Sequence, residues 1–125
     1  MLSLTAKVRQ ILVTPLTRRN FKGDPPKIDE TLADQRNRAI EAALSADSRY
    51  IDLNRASIEY VNKIGPAASY KYNLKADDYT HLNLHGSVVF GRLVSDLLAA
   101  KYADIRAVTK RNETLSELLA RGVPA

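Results

Sequence analysis

Residues 49–66, RYIDLNRASIEYVNKIGP, join a short apolar run to a helical one, and the reading of this junction decides the fold class. Arg49-Tyr50-Ile51-Asp52-Leu53, preceded by the polar turn Asp47-Ser48, is a short apolar run with an acid at its end and reads as a buried strand. A helix then starts at Asn54 or Ser57, runs through Glu59, Tyr60, Val61 and Ile64, and ends at Gly65-Pro66. Upstream, Leu32, Arg36, Ala39, Ile40, Ala43 and Leu44 recur at helical spacing, with Asp29 or Thr31 as the expected cap. Further upstream, Ile11-Leu12-Val13-Thr14 is rich in β-branched residues and is stopped by Pro15, which predicts a second buried strand. Between this strand and the helix lies a loop, Pro15 to Lys27, broken by Gly23-Asp24-Pro25-Pro26. Leu2 to Arg9 is a short mixed lead-in. The order strand, helix, strand, helix predicts an α/β fold with parallel strands, with an all-helical arrangement as the alternative.

Downstream, Ala68 to Tyr79 (ASYKYNLKADDY) is polar and aromatic without a period and reads as a surface loop, the kind of segment that carries sites. Val88, Val89, Phe90, Leu93, Val94, Leu97 and Leu98 then describe an amphipathic helix from about Asn83 or Leu84 to Lys101. Gly86 and Gly91 sit inside it, where each is expected to allow close packing. Beyond Tyr102, Ile105, Val108, Leu115, Leu118 and Leu119 suggest one or two short helices. The chain thus divides into residues 1–101 and a helical tail, 102–125.

The 125 residues fit about one domain, and 45% apolar with 26% charged residues is a globular composition. No cysteine occurs, which excludes disulfides, thiolate metal sites and a cysteine nucleophile. Nineteen Lys and Arg against fourteen Asp and Glu give +5, spread as +3 over Met1–Tyr50, zero over Ile51–Ala100 and +2 over Lys101–Ala125. No apolar run approaches the ~18 residues of a membrane span, so no membrane partner is expected. Met1–Gln10 has no apolar core of a secretory signal, so no export address is expected in the chain as written.

The two histidines, His81 and His85, stand four apart, but no Glu follows the first, so the HExxH zinc pattern is missing and no metal or other cofactor is expected. Asp78 precedes His81 by three residues. A carboxylate at that spacing can accept the ring Nδ1–H, fix the tautomer and leave Nε2 as a base near neutral pH. Such an imidazole activates a serine hydroxyl, which is a poor nucleophile until its proton is taken. Capping and solvation are the alternative roles for the same two residues.

Three stretches, Ile11 to Phe21, Tyr50-Ile51-Asp52-Leu53-Asn54, and Asp78-Tyr79-Thr80-His81-Leu82-Asn83 with Gly86, Phe90, Gly91, Val94 and Leu97-Leu98, together resemble the SGNH (GDSL) hydrolase superfamily. The branch they are most similar to is the rhamnogalacturonan acetylesterase-like enzymes. The resemblance runs in order from about Ile11 to Ala100. It implies a partial flavodoxin-like three-layer α/β/α sandwich, with Asp78 as the orienting acid and His81 as the general base. The implied substrate is an acetylated pectic polysaccharide or another small ester, and the family is typically secreted.

The family's Gly-Asp-Ser nucleophile block and its Gly-x-Asn-Asp block do not occur here: Gly23-Asp24 is followed by Pro25. Ser57, Ser69, Ser87 and Ser95 match no nucleophile signature, and no Gly-x-Ser-x-Gly elbow is present. The chain therefore resembles the C-terminal portion of such an esterase, truncated before its serine and oxyanion donors. Because one oxyanion donor alone is worth about 10²–10³ in rate, the chain by itself is expected to be inactive. Missing strands would leave a sheet edge open to self-association. Arg18 and Arg19, at the end of the first strand, can face an acidic sugar or form structural ion pairs, and Tyr70, Tyr72 and Tyr79 can line a carbohydrate cleft. The alternative function is a noncatalytic basic α/β module that binds an anionic polymer through Arg18, Arg19, Lys22, Arg106, Lys110 and Arg111. Nucleic acid is not the favoured partner, because no dense basic run appears.

Overall fold

Two apolar triplets, Ile11–Val13 (β1) and Arg49–Ile51 (β4), pair in parallel with the register Ile11 to Arg49, Leu12 to Tyr50 and Val13 to Ile51. The computed structural model describes residues 8–125; most of the lead-in Leu2 to Arg9 and of the Met1–Gln10 opening lies outside the described residues. Parallel pairing requires a crossover. Here it consists of a small antiparallel hairpin, Phe21–Lys22 (β2) with Lys27–Ile28 (β3), and the helix Ala33–Ser45 (α1), which packs against both parallel strands. The remaining elements are helices: Leu53–Tyr70 (α2), Leu84–Lys101 (α3), Ala103–Val108 (α4) and Glu113–Arg121 (α5). The chain is mixed α/β and mostly helical, with a parallel sheet of two strands among the described residues.

Local chemistry explains the element ends. The cap of α2 is Asp52, two residues before the expected Asn54 and five before Ser57; its carboxylate accepts from the Arg55 N–H at 3.2 Å. The same carboxylate accepts from the Thr14 hydroxyl at 2.9 Å and from Arg36 Nη2 at 2.6 Å, so one acid at the end of β4 ties β1, α1 and α2 together. Burial pushes Asp52 up, but these donors outweigh it and hold the carboxyl below its ordinary range. Helix α1 begins after Leu32 without a side-chain cap. Neither Asp29 nor Thr31 fills that role; the Thr31 hydroxyl accepts from Arg18 Nη1 at 3.4 Å instead.

Gly65 does end the first part of α2, with φ 82° and ψ 173°, but a further turn restarts at Pro66 and runs to Tyr70. A proline at the first position of a new turn has no N–H to leave unpaired, which is why the expected stop becomes a break. Helix α3 starts where the spacing predicts, capped by Asn83, whose side chain accepts from the Gly86 N–H at 2.8 Å. A methyl group at Gly86 would stand 2.9 Å from the Tyr72 carbonyl oxygen, so this glycine is required for close packing. At Gly91 nothing lies within 4 Å, and the same expectation fails there.

Ile51 of β4 is buried apart from the main core cluster, which lies mostly between helices. That cluster gathers Ile28, Ile58, Tyr60, Val61, Tyr72, Val89, Phe90 and Leu119. Phe90 meets the edges of Tyr60 and Tyr72 at centroid separations of 6.2 and 5.3 Å, contacts worth about 0.5–1.5 kcal/mol each beyond burial. No helix among the described residues is long and apolar enough to cross a membrane.

Candidate active site

The segment between α2 and α3 is a loop closed on itself by its own polar groups. Asn73 and Leu82 form an antiparallel bridge, and the Asn83 amide donates to the carbonyls of Lys71 and Asn73 at 2.7 and 3.1 Å. Beneath the loop lies Arg19, fully buried. Its Nε donates to Asn73 Oδ1 at 2.6 Å, its Nη2 to the His81 carbonyl at 2.7 Å, and its backbone N–H to the Tyr79 carbonyl at 2.9 Å. Burial lowers the Arg19 pKa, opposed by the nearby Asp78 charge. A buried guanidinium with two charge-assisted bonds to the loop fixes where His81 stands.

Asp78 turns back onto the following residues. One carboxylate oxygen accepts from the backbone N–H of His81 at 2.8 Å and of Thr80 at 3.0 Å, and the other lies 2.9 Å from His81 Nδ1. The His81 backbone donor, with help from Thr80 and the imidazole, brings the Asp78 pKa down to about 2. The carboxylate is therefore ionised at neutral pH and accepts the Nδ1–H, so the neutral ring carries its lone pair on Nε2. The His81 side chain is 71% exposed and that of Asp78 16%. An imidazole held at Nδ1 with its ring exposed has the geometry with which a general base accepts a proton at Nε2.

The other site candidates fall into two groups. Tyr70 and Tyr79 pack on each other, their rings 5.2 Å apart, with Phe21 5.9 Å from Tyr70. Tyr72 does not join them: at 1% exposure it belongs to the core, because its ring is enclosed by Phe90 and its hydroxyl is bonded to the Ala125 carbonyl at 2.8 Å. Arg19 likewise leaves the basic surface set, since it is spent inside the loop. Of that set, Lys22 pairs with Asp29 at 3.0 Å, and Arg111 lies 3.5 and 3.7 Å from Glu113 and Glu117.

The four serines weighed as nucleophiles, Ser57, Ser69, Ser87 and Ser95, are engaged in structure. Ser57 Oγ accepts from the Thr17 N–H and donates to the Asn54 carbonyl, while Ser69 and Ser87 bond the carbonyls of Val61 and Asn83. Ser95 Oγ accepts from Arg92. No hydroxyl among the described residues is bonded to His81 Nε2. His85 turns elsewhere, with Nε2 3.0 Å from the Ala125 carbonyl, so the two histidines do not converge. No group of three or more His, Cys, Asp or Glu side chains suited to a metal ion is found among the described residues.

Arg19 and Asn73 as supports of the site were not foreseen. They are 54 positions apart, and no local pattern announces a pair that only the tertiary fold creates. No protein-family model, curated protein or solved structure matches the chain.

Proposed function

We propose that the chain supplies the acid and base of an SGNH-type serine ester hydrolase, acting on acetyl esters of a pectic or related polysaccharide. The observation that carries this reading is the 2.9 Å contact of Asp78 with His81 Nδ1 on a ring that is otherwise exposed. His81 Nε2 takes the proton of a serine hydroxyl as it attacks the ester carbonyl, and Asp78 stabilises the imidazolium. His81 then returns that proton to the departing sugar oxygen, and repeats the cycle with water to release acetate. The serine and the oxyanion donors come from Gly-Asp-Ser and Gly-x-Asn-Asp blocks outside these 125 residues. Tyr79, next to Asp78 in sequence, and Tyr70, packed on it, offer rings for a sugar.

The edge of β1 away from β4, which carries no strand among the described residues, supports the matching fold proposal, a portion of a flavodoxin-like three-layer sandwich whose further strands would pair there; the outer edge of β4 is taken, because the Tyr50 N–H and carbonyl are bonded to the Tyr102 hydroxyl and Lys101. The test mixes the chain with a polypeptide carrying the two missing blocks and follows p-nitrophenyl acetate and acetylated pectin. Cleavage should exceed that of either part alone, and His81→Ala should lower it by about 10²–10⁴. Cleavage that is absent from the mixture, or equal with His81→Ala, rules the proposal out.

A further inference from the structure

A cavity of about 410 Å³ lies between the second half of α3, α4 and α5, within the span of roughly 300–1,000 Å³ usual for small-molecule sites. Its walls are largely apolar, with Leu93, Leu119 and Ala120 among them. It stands apart from His81: from Leu84 to Arg92, where the lining begins, α3 already rises about 12 Å. We infer that this cavity binds a small amphipathic carboxylate, with its hydrocarbon part against the apolar walls and its charge toward Arg106.

Three observations carry the assignment. First, Ser116 lines the cavity at 3% exposure and its Oγ has no hydrogen-bond partner, a state that costs free energy unless a ligand or solvent group completes it. Second, the Nε of Arg92, also in the lining, lies 3.1 Å from Asp96 Oδ1 without a hydrogen bond's alignment and is likewise unpaired. Third, the charges do not cancel. The lining holds Arg92, Arg106 and Arg111 against Asp96. Asp96 answers Arg92, and Glu113 and Glu117 answer Arg111, which leaves Arg106 without an acidic partner among the described residues. Arg106 Nη1 instead donates to the Ala99 carbonyl at 2.8 Å, which holds the guanidinium at the cavity. One uncompensated cation above an apolar chamber matches a monoanion with a hydrocarbon body better than a phosphate dianion, which needs more donors.

The experiment titrates the full ¹⁵N-labelled chain with sodium octanoate, and separately with octanol, octyltrimethylammonium and sodium acetate, following amide shifts. Octanoate should move the amides of Leu93, Ser116 and Leu119 saturably, while acetate and the cation leave them in place. Arg106→Gln, a change at an exposed side chain, should weaken octanoate by roughly fivefold, the upper range for a partly exposed charge pair, and leave octanol unchanged. Ser116→Leu should abolish both by filling the space, with circular dichroism confirming the fold. Equal shifts from octanoate and the cation, octanoate shifts confined to other residues, or an unchanged octanoate affinity in Arg106→Gln would overturn the assignment.

Discussion

The two ends of α3 differ in what they hold. At its N-terminal end the loop presents an acid–imidazole pair, Asp78 and His81, with the ring exposed; along its C-terminal half a partly open cavity is walled by hydrocarbon and arginine. Titratable pair and cavity are thus separated along one helix. A base is positioned by short-range hydrogen bonds and needs no enclosure to form, whereas a substrate pocket requires walls on several sides.

The sharpest way to break this contrast is to remove the buried support of one end only. Arg19→Leu leaves the His81 carbonyl and Asn73 Oδ1 without their charged donor, and we expect a loss of about 3 kcal/mol or more in urea unfolding. In the fraction still folded, His81 amide shifts should scatter while those of Leu93 and Leu119 hold.

A smaller effect separates the two glycines of the same helix. Gly86→Ala meets the Tyr72 carbonyl at 2.9 Å and should cost about 1–3 kcal/mol through overpacking, more than its gain in helix propensity. Gly91→Ala meets nothing and should stabilise by up to about 1 kcal/mol, so the two melting temperatures should move in opposite directions.

The smallest effect is on pH. Asp78 is held near 2, below its unfolded value of about 3.9, so the stability it lends is complete above the unfolded value and disappears as pH falls through about 2. The Thr80 and His81 amides should follow that titration, and the amides around the cavity should not. An Asp78 midpoint near 4 would mean that the loop does not hold its carboxylate in solution.

Much of the architecture was legible because it is periodic. The extent of α3, the parallel strands and the existence of α1 follow from apolar spacing, and the Asp78–His81 contact follows from a separation of three that a turn closes. What was not legible depends on distant partners. The hairpin of β2 and β3 has two residues per strand, too few for alternation to register. Tyr72 sits in a polar stretch, and only its contacts with Phe90 and the Ala125 carbonyl reveal it as core. The cavity needs three helices at once, two of them short, so no stretch of sequence contains it.

The break at Gly65 has a consequence for how this molecule can be altered. Helical phase is reset there, so residues before and after it are not locked to one rotation. Lengthening the chain by one residue at that point would swing Tyr70 by about 100° around its axis while the stripe of Ile58 and Val61 stayed seated. Ser69 and Tyr72, both buried, follow the same break, so such an insertion would be felt in the interior as well as at Tyr70.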